Sequence, residues 1–340
     1  LTSRMLLEAR EAPATVAHQL AQDHAAYRDF GALLRKQPPS SVLTVARGSS
    51  DHAAHYAAYL IMARLGRLVT SLPMSLVTLY QSKIACQGLA TLAFSQSGQS
   101  PDLVEPTRYF RNGGAITAAF VNDAGSPLAR ASQWTFPLHA GSEASVAATK
   151  SFIAQMVAGA RLLAAWQDDA ALQAAIAALP EALTRAAQTD WSAALADLHN
   201  ADRLLVIARG LGLPVALEAA LKFKETCGIQ AEAFSGAEVQ HGPMALIEEG
   251  YPLLVFAPRG PAQAGLLALA EAMRARGGRV LVAAPAGTPG SSLPIVETGS
   301  EDLDAISMIQ SFYPLVEALS RARGLDPDRP RHLNKVTRTQ

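Results

Sequence analysis

The chain repeats itself. Val42–Gly48 (VLTVARG) matches Leu204–Gly210 (LLVIARG), an offset of 162 positions that sets Arg209 against Arg47. Ala93-Phe94 and Gly98 keep that register with Val255-Phe256 and Gly260. Gly113-Gly114-Ala115-Ile116 then resembles Gly277-Gly278-Arg279-Val280, shifted by two more residues, and Gly141-Ser142-Glu143 recurs as Gly299-Ser300-Glu301. Four matches in the same order indicate a duplicated domain. Whatever fold one half adopts must therefore be built twice within 340 residues, a length suited to two ordinary domains.

Each half reads strand, Gly-containing turn, helix, strand, turn, helix, strand. Apolar β-rich runs alternating with Ala/Leu-rich helical stretches predict parallel sheets covered by helices on both faces. An amphipathic helix is predicted over Thr15–Leu34, within an N-terminal helical segment 1–36. The two sheet domains are placed at 37–195 and 196–325, with a tail at 326–340. Ala144–Leu198 reads as nearly all helical, with Pro180 starting a helix.

In a doubly wound sheet, ligands collect beyond the carboxyl ends of the strands. One such end is Ser95-Gln96-Ser97-Gly98-Gln99-Ser100, between the apolar run Leu89–Phe94 and the helix start Pro101-Asp102-Leu103. Small hydroxyl and glycine residues feeding a helix N-terminus make a phosphate cradle. Ser/Gly-rich turns of this kind are also common where nothing binds. The second half decides between these readings. Its equivalent turn, Ala257-Pro258-Arg259-Gly260, has lost every hydroxyl and gained a proline without an N–H, so the fold does not require the serines. The loop lacks both a P-loop lysine and G-x-G-x-x-G spacing, which argues against a nucleotide.

Composition narrows the function classes. Hydrophobic residues make up 49% and charged residues 17%, as in a core-forming protein, and the formal net charge of zero offers no footprint for nucleic acid or an anionic membrane. Cys86 and Cys227 read as buried reduced thiols. The longest apolar stretch, Phe152–Trp166, is broken by Arg161, and Arg4, Glu8, Arg10 and Glu11 interrupt any signal-peptide pattern. A cytoplasmic protein is expected. His52 and His55 have a spacing compatible with a metal, but no further ligand is near and an ordinary role is expected. No metal or cofactor is predicted.

A second polar cluster lies on the predicted helix 217–225. Glu218, Lys222 and Glu225 fall at i, i+4 and i+7 and share one face. Such a stripe is either a solvated row of ion pairs or a carboxylate and ammonium tuning each other in a cleft. His241, in His241-Gly242-Pro243, lies on a turn rather than a helix face.

Taken together, these segments resemble the sugar isomerase (SIS) family with paired SIS domains, in particular the isomerase half of glucosamine-6-phosphate synthase and stand-alone aminosugar-phosphate deaminases. Gly48-Ser49-Ser50, Ser95–Gly98, Val146–Lys150, Glu218–Glu225, His241–Pro243 and Pro330–Lys335 match in order, and Met5, Glu8, Glu11 and Pro13 resemble the segment leading into that half. The resemblance implies an α/β fold of two tandem flavodoxin-like three-layer sandwiches. It implies that Ser50, Ser95, Gln96, Ser97 and Ser100 hold a sugar phosphate. Val146, Ala148 and Glu218 would bind the sugar, and Lys222 would support its oxygens. Glu225 would move a proton between C1 and C2. His241, reaching the site from a neighbouring subunit, would assist ring opening. Lys335 would close over the substrate or form a Schiff base with the ketose.

The family's synthases usually carry glutamate at Gln99, serine at Ala148 and alanine at Asn334, which leaves the sugar open. They also carry an N-terminal glutaminase domain headed by a cysteine. No such domain is read here, so free ammonia is expected as the nitrogen carrier, with release favoured by mass action. The resulting expectation is a homodimeric aminosugar-6-phosphate deaminase/isomerase acting on a phosphorylated amino sugar or ketose phosphate. The alternatives are a fructosamine-6-phosphate deglycase, a synthase unit using ammonia or a partner, and a non-catalytic sugar-phosphate sensor.

Overall fold

The computed structural model describes residues 2–335. The chain divides into two compact units. The first comprises 14–143, 150–177 and the described chain from Asn334; the second comprises the residues up to Pro13, 144–149 and 178–333.

The chain opens with helices α1 (Arg4–Leu20) and α2 (His24–Lys36). The single helix predicted over Thr15–Leu34 is thus two helices. Asp23 breaks it by taking a left-handed conformation (φ 58°), which aspartate tolerates better than most residues. Arg161, the charge inside the apolar stretch, explains how the break is held. Its guanidinium donates to the carbonyls of Gln19 (2.8 Å) and Gln22 (2.6 Å) and lies 4.0 Å from the Tyr27 ring centroid.

The first sheet follows from β1 (Ser41–Val45), α3 (Ser49–Leu65), β2 (Val69–Ser71), α4 (Ser75–Thr78), β3 (Leu89–Ser95), α5 (Pro101–Asn112), β4 (Ile116–Val121), α6 (Pro127–Ala131) and β5 (Trp134–Pro137). Its strands are all parallel, in the order β2-β1-β3-β4-β5. Successive residues of one strand enter opposite cores. Leu92 and Phe94 pack with Phe30 of α2 and Phe120, whereas Ala93 packs with Leu103 and Phe110 of α5. Both faces of the central strands are therefore covered, and those strands are predominantly apolar. Helices α7 (Lys150–Gln167) and α8 (Ala170–Ala177) complete this unit. Residues 144–149, predicted as helix, form an irregular loop, and a second break follows α7 where Asp168 takes φ 57°.

The second unit contains α9 (Leu179–Ala186), with Pro180 in its first turn as expected, α10 (Ala194–Leu198), β6 (Arg203–Ala208), α11 (Leu213–Cys227), β7 (Gln230–Ser235), β8 (Pro252–Phe256), α12 (Gln263–Arg274), β9 (Arg279–Pro285), β10 (Leu293–Ile295) and α13 (Asp304–Ala322). Its parallel strand order, β7-β6-β8-β9-β10, reproduces the first sheet in the same chain sequence. The repeat is thus structural: α5 (101–112) and α12 (263–274) occupy equivalent positions at the offset of 162 read from the sequence. One difference matters for the site. Helix α13 begins three residues after Glu301, whereas α7 begins seven after Glu143, so the first copy carries a loop four residues longer at 144–149.

Both cysteines are buried free thiols. Among the described residues no helix is long and apolar enough to cross a membrane.

Gly31 reports on the packing of α2 against α7. A Cβ there would lie 2.4 Å from the Ala165 carbonyl oxygen. Gly→Ala within a helix ordinarily gains up to ~1 kcal/mol. Here the clash is with backbone, so Gly31→Ala is expected to destabilise by about 1–3 kcal/mol, read as a lower urea midpoint.

Candidate active site

The first unit presents the serine turn at the end of β3. Ser95 Oγ accepts the Gly98 N–H (2.9 Å) and Ser97 Oγ accepts the Gln99 N–H (3.3 Å), so two turn amides are used internally and both hydroxyl protons stay available to donate. Gly98 must be glycine, since it has φ 63° and a Cβ would fall 2.2 Å from Ser126 Oγ. The turn is fixed from below by Asn122 N–H donating to Gln96 O (3.1 Å) and Leu128 N–H donating to Gly98 O (3.1 Å). Ser100 is the N-cap residue of α5, yet its hydroxyl makes no bond to the helix. Ser50 sits half-buried in the first turn of α3, the helix leaving the adjacent strand β1. Buried Asp102, in the first turn of α5, pairs with Arg47 (3.2 Å), which tethers the β1 turn to the β3 turn.

The second unit holds the carboxylate cluster. Lys222 Nζ lies 3.1 Å from Glu218 Oε1 and 2.6 Å from Glu225 Oε2. Lys222 and Glu218 are fully buried and Glu225 is 17% exposed, so the row is not a solvated stripe. Burial alone would lower the Lys222 pKa; the two carboxylates override it and hold the ammonium above its ordinary value. With its ammonium engaged by both acids, Lys222 acts on its surroundings through Glu225. Glu225 also lines a cavity of about 540 Å³ bordered by Lys224, Leu325, Asp326, Arg329 and Arg331. His241 does not line that cavity; it is exposed at the end of a short 3-10 turn (Glu238–His241), before Gly242 at φ 144°.

Val146 and Ala148 are half-buried in the longer 144–149 loop. Buried Glu8 anchors that loop, accepting from the Ala144 N–H and from the N–H and Oγ of Ser145. Lys335 closes on Glu143 in the first unit (2.8 Å). His55 packs near Tyr59 with ring centroids 5.3 Å apart, and burial lowers its pKa. Among the described residues no group of three His, Cys, Asp or Glu could hold a metal ion.

The SIS domain matches residues 33–165 and 197–293, one region on each sheet. The chain belongs to the SIS domain family. An isomerizing glutamine–fructose-6-phosphate aminotransferase from Aeropyrum pernix is 34% identical over 354 residues, covering 98% of this chain and 56% of that protein. The chain spans about half the length of the curated relatives it matches. A Silicibacter pomeroyi protein assigned as a phosphosugar isomerase superposes with a TM-score of 0.91 at 43% identity, over 96% of this chain and 100% of that one. Glucosamine-6-phosphate deaminase from Thermotoga maritima shares the fold, with a TM-score of 0.77 at 20% identity over 99% and 100% of the two chains.

The two SIS copies have diverged at the turn that follows β3 in one and β8 in the other. Arg259 occupies the position of Ser97, and its guanidinium grips buried Asp304 at 2.7 and 2.8 Å while donating to Thr298 O (2.8 Å). The bond to Asp304 raises the Arg259 pKa. The second copy thus satisfies its own helix-start charges internally. Sequence reasoning singled out neither Glu143 nor Asp102 as site residues. The recurrence of Gly-Ser-Glu in both copies was a signal for Glu143; Asp102 looked like an ordinary helix-start acid.

Lys222→Met would leave two carboxylates around an apolar tip. The expected loss is about 3–5 kcal/mol of unfolding stability at pH 7. The Lys222 contribution, having a raised pKa, is complete below its ordinary value of 10.5 and is lost only as pH rises through the higher folded value. Urea unfolding of both proteins between pH 7 and 11 should show a constant difference that shrinks only at the alkaline end.

Proposed function

We propose that this chain is an aminosugar-6-phosphate deaminase/isomerase: glucosamine 6-phosphate and water give fructose 6-phosphate and ammonia. The observation carrying this reading is Glu225, a carboxylate pinned at 2.6 Å to a fully buried ammonium and facing a cavity. A 1,2-proton shift needs one base serving two adjacent carbons, and such a base must keep its position through both transfers.

In this reading the Ser95–Ser100 turn and Ser50 take the phosphate, using hydroxyl donors and the start of α5. Phosphate binding at the remote end of the sugar orients the reacting carbons. His241 opens the ring; its exposure suits delivery from a second copy of the chain in a homodimer. Glu225 takes the C2 proton of the open-chain aldehyde and returns it at C1, while O1 gains a proton and the nitrogen gives one up, leaving a C1 hydroxyl and an imine at C2. Water adds to that carbon and ammonia departs. Val146 and Ala148 define the sugar side; Glu218, expected there from the sequence, is fully buried on Lys222 and with it holds Glu225 in place. Lys335 closes over the bound sugar.

Purified protein is expected to release ammonia and fructose 6-phosphate from glucosamine 6-phosphate in equal amounts. Glu225→Gln should lower turnover about 10²–10⁴-fold while sugar-phosphate binding persists. Ser97→Ala should act mainly on KM. Absence of ammonia from every hexosamine 6-phosphate would overturn the reading. Release of an amino acid from a 6-phosphorylated fructosamine would replace it with the deglycase.

A further inference from the structure

Glu143 stands out among the buried acids. Its side chain is fully buried, yet it lies outside the helix it serves. One oxygen accepts the Ser151 N–H (3.1 Å), and the other accepts Ser151 Oγ (2.6 Å) and Lys335 Nζ (2.8 Å). Ser151 is the second residue of α7, so its N–H is among those left without an intrahelical acceptor at a helix start. The carboxylate is fixed there by a short helix-end bond and by the positive end of the helix dipole.

The duplication supplies an internal comparison. Glu301, the counterpart of Glu143 in the second Gly-Ser-Glu, is exposed. The fold therefore does not demand burial of this glutamate. Burial of a carboxylate is costly unless a cation accompanies it, and Lys335, 22% exposed, brings one from the far end of the chain.

We propose that Glu143 is the positioning residue for Lys335: it docks the C-terminal lysine at the start of α7 and so sets where its ammonium stands. The inference rests on the reading of Lys335 as a group that meets the sugar. In that setting Glu143 contacts no substrate. It acts through the lysine, whose ammonium it holds at 2.8 Å.

Trypsin tests the docking without any sugar. The protease must draw the lysine side chain into its own pocket before cutting after Lys335, and a lysine held on Glu143 is withheld from it. In the full chain, mass spectrometry should show slow loss of residues 336–340 through this cut. Glu143→Gln keeps the size and the acceptor for Ser151 but removes the charge; cleavage after Lys335 should rise about tenfold or more, relative to cuts at other sites. Glu143→Asp should retain part of the protection. Should Glu143→Gln fail to fold, Ser151→Ala, which removes one of the bonds holding the carboxylate, should raise the same cut by a smaller factor. Equal cleavage in wild type and a folded variant would overturn the proposal.

The functional arm is a double-mutant cycle on ammonia release. Lys335→Met and Glu143→Gln should each lower kcat, and the pair together should be no worse than Lys335→Met alone. Multiplying effects would overturn the positioning role. Full activity in Lys335→Met, with protection still lost in Glu143→Gln, would remove the catalytic reading of Lys335 and leave the docking in place.

Discussion

A parallel strand cannot be joined to its neighbour by a tight turn; the chain must cross back over the sheet, and in these sheets helices make most of the crossings. That constraint gathers the strand ends and the following helix starts at one edge of each sheet. In the first unit it sets the turn after β1 beside the turn after β3, because those strands pair directly. The Arg47–Asp102 pair then ties the two turns together. Serines on both turns are the consequence of interest: Ser50 on one, Ser95, Ser97 and Ser100 on the other. In the proposed function, these hydroxyls are the donors that meet a phosphate at the topological position where open α/β sheets bind ligands.

Duplication explains why only one copy needs such a turn. In the second copy a guanidinium sits where the first has Ser97, and it is neutralised by Asp304 from the start of α13. An arginine that reaches its own buried carboxylate leaves little reason for an external anion there. The second copy carries its buried charged row along α11 instead, in Glu218, Lys222 and Glu225. The first copy has no such triad on the equivalent helix α3, but it gained the longer loop that carries Val146 and Ala148. The two copies have kept a common topology and placed different polar residues on it.

Much of this was legible in the sequence, for identifiable reasons. The doubling of the fold follows from the repeat, and parallel sheets covered on both faces follow from apolar runs too continuous for one-sided sheets; strand order was not readable. The start of α5 was readable because Pro101 is well suited to the first turn of a helix and Asp102 to its positive end. Less legible were breaks in which nothing announces a stop. Asp23 ends one helix by adopting a left-handed backbone, a choice stabilised by Arg161 from more than a hundred residues away. The loop at 144–149 reads as helix because Ala-Ser-Val-Ala-Ala is helix-compatible; Glu8, at a distance in sequence, claims the amides of Ala144 and Ser145. The Glu218–Glu225 row was ambiguous for the same reason. Spacing gives a shared face, but only tertiary packing decides whether that face meets water.

The buried charges show two ways of fixing a reactive group. Glu225 is placed by regular secondary structure: its helix is locked by Phe223 against Phe312 (5.2 Å between centroids), and Lys222, three residues earlier, determines where one carboxylate oxygen points. In the proposed function, a base that serves two adjacent carbons gains from such rigidity, since small displacements are costly in proton transfer. Lys335 is placed in the opposite manner. It stands beyond the last helix, and its recorded fixed point is an ion pair with Glu143. A tether of that kind can be exchanged for another anion or carbonyl without unfolding anything, whereas the Lys222 triad cannot open without stranding charge in the core. The Lys222 triad is therefore a permanent part of the fold, whereas the Lys335–Glu143 pair joins a helix start to a lysine beyond the last helix.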